Sequence, residues 1–339
     1  DRRPHDGQAQ EGIRLLVRLT QVPGHDAGLA PSLSHFSSLA QARPTMPELN
    51  AALADLNTHA ERIWEAASPA CPTLSLEVLP EIGSTNTELM ARGRRGEVSP
   101  TLLAACRQTA GRGRQGRSWL ASMGNSLTFS LGLPMRLDEV PGGGSALSLA
   151  VGLAVAQALE SGLQKLGTTP ITPAIGLKWP NDLWLNGRKL GGILIEASPA
   201  PGLDEGQRWV VIGIGLNVRL GQAPEGSAAL QSGPFANAGL TPGLVWSWIG
   251  PSLLAQARLF EQHGFAPLQA AYSQRDVLAG QAIGLWATPG QGAASGHPPS
   301  DTGMAQGVSE TGALLVHTDK GLQSWTTGEV SVRLQGAAH

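Results

Sequence analysis

The run Gly111-Arg112-Gly113-Arg114-Gln115-Gly116 is flanked by two strand-like segments, and that setting limits the folds open to this chain. Its glycines satisfy G-x-G-x-x-G, the spacing of a dinucleotide-binding turn, but such a turn must open a helix whose N-terminus receives the pyrophosphate. Here the apolar run Thr101 to Cys106 leads into the loop. After Gly124-Asn125, Leu127, Phe129, Leu131 and Leu133 alternate with small or polar residues. The pattern predicts strand, loop, strand, and excludes the dinucleotide fold. Arg112, Arg114 and Arg117 bring positive charge of their own, which suits a loop that folds over an anion. Taken alone, such a run is more often an ordinary solvated basic loop, and only its neighbouring motifs favour the anion reading.

The neighbouring segments extend this frame. Leu49, Leu53, Leu56, Ala60 and Ile63 recur at helical spacing between Pro47 and Trp64, which predicts one amphipathic helix. Leu74 to Leu79 alternates like a strand. Thr85 and Glu88 then stand at capping-box spacing, so a helix is expected to begin just after Gly83-Ser84. Ser145 to Leu166 is rich in Ala, Leu and Val on nearly every face, the mark of a buried helix. Asn186-Gly187 joins the strand-like runs Asp182 to Leu185 and Arg188 to Glu196 as a hairpin, and Lys189 follows that turn. Trp209 to Asn217 is a Val- and Ile-rich strand interrupted by Gly213 and Gly215, where close approach of a ligand or backbone is expected. A helix over about Leu244 to His263 follows. From Gln281 onward, short strands and turns such as Glu310-Thr311-Gly312 and Asp319-Lys320-Gly321 predict a small all-β barrel, after a loose loop from Pro289 to Ser300.

With 339 residues the chain exceeds what one core usually serves, so two or three units are expected. Its formal charge of −2, without a polybasic face, argues against partners chosen by charge, nucleic acid included. No apolar run approaches bilayer length and no signal-peptide pattern opens the chain, so a cytoplasmic protein without a membrane partner is expected. Cys71 and Cys106 lie far apart, with no C-x-x-C and no His pair at ligand spacing, which predicts neither a disulfide framework nor a zinc site. Residues 1 to 44 carry only the apolar island Ile13 to Leu19 and are expected to form a weakly ordered extension.

Five motifs occur in order: Ser84-Thr85-Asn86; Gln108-Thr109-Ala110 leading through the Arg-Gly loop to Arg117-Ser118-Trp119; Lys178-Trp179-Pro180-Asn181-Asp182; Arg188-Lys189-Leu190-Gly191-Gly192-Ile193-Leu194; and Gly213-Ile214-Gly215-Leu216-Asn217. Together they closely resemble the biotin protein ligase family, over roughly Leu74 to Arg333. The resemblance implies an α+β protein. Its mixed-sheet catalytic domain is of the class II aminoacyl-tRNA synthetase-like, biotin/lipoate ligase type, and a small SH3-like β-barrel follows. The implied division is extension 1–44, helix and linker 45–73, catalytic domain 74–274 and C-terminal domain 275–339.

The family joins biotin to ATP, giving biotinyl-5′-adenylate and pyrophosphate, and then passes the acyl group to a lysine of a carrier. The resemblance implies ATP and biotin as substrates with Mg²⁺, and the biotin carboxyl carrier protein of acetyl-CoA carboxylase as partner. It places Ser84, Thr85, Asn86 and Gln108 around the ureido ring, where hydroxyls and amides can pair with it. Arg112, Gly113 and Arg114 would wrap the carboxylate and α-phosphate, with Lys189 beside the carboxylate and the bridging oxygen. Lys178, Asn181, Asp182 and Asn217 would meet the nucleotide, with Asp182 on Mg²⁺, and Trp119 would stack on adenine. Arg114, Lys178 and Lys189 are the implied catalytic residues. Trp184, Leu194 and Ile212 are better taken as core, and Cys106 as small apolar packing. The first alternative is a lipoate or octanoate ligase, which shares fold and adenylate chemistry. The second is a biotin-responsive DNA-binding repressor, for which residues 1 to 70 lack a two-helix pattern with a basic recognition face. Dimers are common in the family, and a homodimer is carried as an expectation.

Overall fold

The computed structural model describes residues 44–167, 175–221, 223–232, 235–236, 238–286, 298–326 and 331–334. The expected extension 1–44 therefore lies outside the described residues except for Pro44, as does most of the expected loop from Pro289 to Ser300.

Helix α1 (Met46–Ala67) starts where Thr45 and Glu48 form a reciprocal capping box, and it buries Leu56, Ala60, Ile63 and Ala67 along one stripe. Strand β1 (Ser75–Ile82), helix α2 (Thr85–Arg94) and strand β2 (Thr101–Gln108) form a parallel crossover. The remaining strands of the main sheet are antiparallel: β3 (Ser126–Met135), β4 (Ile175–Lys178), β5 (Asp182–Leu185), β6 (Arg188–Ser198) and β7 (Arg208–Asn217). Their order is β1-β2-β3-β7-β6-β5-β4, a mixed seven-stranded sheet. The β5–β6 hairpin turns on Asn186 and Gly187, both in the left-handed region at φ 51° and 72°, as an Asn-Gly turn demands.

Both faces of the sheet are covered. Helix α3 (Gly143–Lys165), helix α4 (Pro242–His263) and α1 pack on one side, with Phe129 and Trp246 in ring contact beneath them. By length and composition α3 could cross a bilayer, contrary to the expectation that no such segment exists. Its most apolar stretch is 89% buried inside the protein, so its hydrophobicity serves the core. On the other side α2 lies across β2, β3, β6 and β7 over a smaller cluster of Leu89, Met90, Leu103, Trp209 and Val211. Each such buried aliphatic side chain contributes roughly 1.5–3 kcal/mol.

After the short helix α5 (Gln269–Ser273), strands β8 (Ala282–Trp286), β9 (Asp301–Val308), β10 (Leu314–Thr318), β11 (Gly321–Trp325) and β12 (Ser331–Leu334) form an antiparallel sheet in the order β11-β10-β9-β8-β12. It docks on the larger unit through backbone acceptors. Trp179 Nε1 donates to the Gly312 carbonyl at 3.1 Å, and Gln269 Nε2 donates to that of Val308 at 2.6 Å. Gly142, at φ +81°, lies against the Thr311 carbonyl where a β-carbon would overlap it.

Candidate functional site

Strand pairing places a row of small residues across the middle of the sheet. Thr128, Gly215, Gly192, Asp182 and Lys178 are successive cross-strand partners on β3, β7, β6, β5 and β4. Alternate residues share a face, so Ser130, Gly213 and Leu194 form the next row, and Val211 with Glu196 belongs to the row beyond. Glycines in the central strands open a trough, and the outer strands carry charge at its end. A cavity of about 370 Å³ occupies it.

The polar end is built at the start of α2. Ser84 is the N-cap, its hydroxyl accepting from the Thr87 N–H at 3.4 Å. This differs from the capping box expected at Thr85: with Ser84 in that role, the Thr85 N–H is free to donate to Gln108 Oε1 at 2.7 Å. Thr85 Oγ1 lies 2.7 Å from Ser130 Oγ, which donates to Asn86 Oδ1 at 2.6 Å. Asn86 Nδ2 donates to the Leu194 carbonyl at 3.2 Å and to Glu196 Oε2 at 3.1 Å. Thr85, Asn86 and Gln108 are thus joined with Ser130 in one hydrogen-bonded wall of the cavity, and Ser84 lines it beside them.

The loop after β2 folds into a small hairpin of its own, with Arg112 bridged to Ser118 and the Gly113 N–H donating to the Arg117 carbonyl at 2.7 Å. Its tip, Arg114–Gly116, turns through Gln115 and Gly116 at positive φ. Arg112 pairs with Glu196 at 3.1 Å, while Arg114 reaches Asn181 Oδ1 at 3.4 Å. Burial pulls the Arg114 guanidinium below its ordinary range, with Asp182 opposing the shift and Arg117 adding to it.

The charged end gathers Arg114, Arg117, Lys178, Lys189 and Arg333 around Asp182, the only carboxylate among the described residues lining the cavity. Lys189 Nζ donates to Asp182 Oδ1 at 2.6 Å. Lys178 Nζ stands 4.9 Å from the centre of the Trp184 ring, a cation–π arrangement. Burial lowers the Lys178 pKa; Asp182 opposes this, and Arg333, Lys189 and Arg117 reinforce it. An excess of fixed cations in a partly enclosed trough suits a polyphosphate.

All the sequence-predicted site residues line this cavity except Asn217. Asn217 is buried and donates its amide to the Ala228 carbonyl at 3.0 Å, so its side chain supports a loop. Trp184 and Leu194, expected in the core, line the cavity instead, because β5 and β6 turn those positions toward the trough; Ile212 is fully buried as expected. Gly213 and Gly215 admit protein side chains: a β-carbon at 213 would overlap the Asn86 carboxamide, and one at 215 the Trp119 indole. Sequence reasoning misses Arg333 and Val332, since nothing local marks a β12 arginine. Docking of the small sheet, through contacts such as Trp179 with Gly312 and Gln269 with Val308, brings it here. Ser130 and Glu196, also missed, sit among apolar strand residues: Ser130 interrupts a buried run, and Glu196 follows Ile193-Leu194-Ile195 on a half-buried strand.

Among the described residues no cluster of three or more His, Cys, Asp or Glu could hold a metal. One carboxylate beside an amide fits Mg²⁺ only when phosphate oxygens and water complete its shell.

The profile of the Biotin/lipoate A/B protein ligase family matches residues 78–217, and that of the Biotin protein ligase C terminal domain matches 293–333. The bifunctional ligase/repressor BirA of Escherichia coli is 34% identical over 265 residues, covering 76% of this chain and 74% of that protein. The biotin acetyl-CoA-carboxylase ligase of Mycobacterium tuberculosis is 35% identical over 249 residues, covering 71% and 82%. Among solved structures, the biotin protein ligase from Aquifex aeolicus in complex with biotin and ATP superposes with TM-score 0.59 at 28% identity, covering 77% of this chain and 99% of that one.

Proposed function

The chain belongs to the biotin protein ligase family, and from that premise we propose that its cavity makes biotinyl-5′-adenylate and holds it for a carrier lysine. The enzyme uses ATP and biotin and acts on the biotin carboxyl carrier protein of acetyl-CoA carboxylase. We place it in the cytoplasm, where ATP and such a carrier meet. The observation that carries the site assignment is one trough with an amide-and-hydroxyl wall at one end and five cations at the other.

A ureido ring presents one carbonyl acceptor and two N–H donors, and Gln108 with Thr85 offers the complementary groups at the polar wall. The valeryl carboxylate then points to the charged end. There its oxygen attacks the α-phosphorus as the bond to pyrophosphate breaks. Lys189 and Arg114 offset repulsion between the two anions before reaction and stabilise the charge that builds on the phosphoryl oxygens. Lys178 and Arg333 hold the outer phosphates, Trp119 offers the adenine its indole face, and Asp182 with Asn181 would hold a phosphate-bound Mg²⁺, which supplies further charge neutralisation when bound. In the second half-reaction the neutral carrier amine attacks the acyl carbon, an amide forms, and AMP leaves. The Arg-Gly hairpin covers the mixed anhydride and limits attack by water.

Among the described residues one helix, α1, precedes β1, and it packs on α4 and β1, so DNA binding is not part of the proposal. The test is mass analysis of a purified carrier domain incubated with this protein, MgATP and either biotin or lipoate. Biotinyl transfer is expected; lipoyl transfer without biotinyl transfer overturns the reading.

A further inference from the structure

Glu196 touches two site residues from outside the cavity lining and takes no part in the proposed reaction. Its Oε2 accepts from Asn86 Nδ2 at 3.1 Å and from Arg112 NH1 at 3.3 Å, and its Oε1 lies 3.1 Å from the same guanidinium nitrogen. One carboxylate on β6 therefore joins the start of α2 to the start of the Arg-Gly hairpin. We infer that Glu196 is a positioning residue: it fixes the direction of the hydrogen-bond relay that reads the biotin ring and latches the hairpin's first arginine against that relay.

The direction follows from what each group can do. The Leu194 carbonyl and the Glu196 carboxylate only accept, so the Asn86 amide must present Nδ2 to them and Oδ1 to Ser130. Ser130 then spends its one proton on Asn86 and has only lone pairs for Thr85. The Thr85 proton goes to Ser130 or to Gln108 Oε1, leaving Thr85 Oγ1 an acceptor toward the cavity. Gln108 Oε1 already receives the Thr85 N–H, so its free end is the donating Nε2. Gln108 and Thr85 thus show one donor and one acceptor in a fixed order, matching a cyclic urea and not a dithiolane.

The latch rests on position, since an ion pair with Arg112 about half exposed contributes little stability. With its charge met by Glu196, Arg112 holds the hairpin at the biotin end, and Arg114, at the nucleotide end, is left to meet phosphate. Arg112 is accordingly a closure residue more than the carboxylate contact that the resemblance implies.

This inference rests on the biotin ligase reading, and its test separates the two. Pyrophosphate release is measured on the full chain with biotin and ATP varied in turn, together with AMP released when no carrier is present. Glu196→Gln keeps an acceptor for Asn86 but removes the charge that holds Arg112, so AMP leakage rises several-fold with a small change in biotin KM. Glu196→Ala removes both, and biotin KM rises about tenfold, the loss expected for a hydrogen bond to a charged group, while kcat and ATP KM hold. Should the alanine variant not fold, the glutamine variant still decides through AMP leakage. Unchanged leakage in the folded glutamine variant overturns the inference. So does a loss spread equally over kcat, ATP KM and biotin KM, which marks a general structural role. A wild-type chain that releases no pyrophosphate with biotin overturns the functional reading itself.

Discussion

Lys189 Nζ donates to Asp182 Oδ1 at 2.6 Å across the β5–β6 hairpin. The pair stands at the charged end of the trough with the lysine side chain 43% exposed, so it contributes little to stability. Its effect is on chemistry: without the ammonium, the two reacting anions lose one nearby cation and Asp182 loses its hydrogen-bonded partner. Lys189→Ala is expected to lower biotin-dependent pyrophosphate release by about 10²-fold, the usual scale for one lost charge contact in a transition state, with Tm nearly unchanged. A folded variant that adenylates biotin at the wild-type rate removes Lys189 from the mechanism.

Gly213 and Gly215 lie on one strand two residues apart, yet each makes room for a side chain that serves a different end of the proposed ligand. A β-carbon at 213 displaces the Asn86 carboxamide, and one at 215 displaces the Trp119 indole. Gly213→Ala should therefore weaken biotin binding by about tenfold or more with ATP binding retained, and Gly215→Ala should do the reverse, since small misplacements of positioning groups cost one to two decades. Calorimetric titration of each ligand checks this. Two variants with the same defect would show that the glycines serve the strand alone.

Local chemistry makes much of this architecture legible in the sequence. Asn186-Gly187 marks its own turn, the alternation in β3 and β7 marks strands, and Ser84 to Asn86 sits where a helix must be capped. What escapes depends on register or on distant docking. Glu196 falls at the end of the hairpin's apolar strand, and only pairing with Val211 shows which face it occupies. Arg333 reaches the cavity because the small sheet docks on Trp179, some 150 positions earlier in the chain. Asn217 follows two site glycines in sequence, but its amide turns to the Ala228 carbonyl, a choice that no local pattern encodes.

Arg275 forms two 2.7 Å bonds to Glu160, whose carboxylate also accepts from the Ile175 N–H at 3.1 Å. Glu160 is 4% exposed, so this ties α3, β4 and the segment after α5 through a charge that water cannot reach. Arg275→Met removes the charge that balances that buried carboxylate and is expected to cost about 3 kcal/mol in urea unfolding; Arg275→Met with Glu160→Met should recover much of it. A single variant as stable as wild type would mean that the carboxylate finds another partner or water.

Lys178 is the ionisable group of the nucleotide end whose state should be visible in solution. Burial, with Arg333, Lys189 and Arg117 nearby, lowers its pKa from the ordinary 10.5 despite Asp182. The ammonium is charged below its lowered pKa and is lost as pH rises through it, so phosphate loses a contact at a pH where an exposed lysine would still be protonated. The free enzyme governs kcat/KM, and bound phosphate would raise the pKa again. The kcat/KM for ATP should therefore bend downward on the alkaline side below 10.5, with a smaller bend in kcat. Lys178→Arg keeps its charge throughout this range and should move the alkaline limb of kcat/KM upward, even where the rate at neutral pH falls. An alkaline limb identical in the two proteins would assign it to another group.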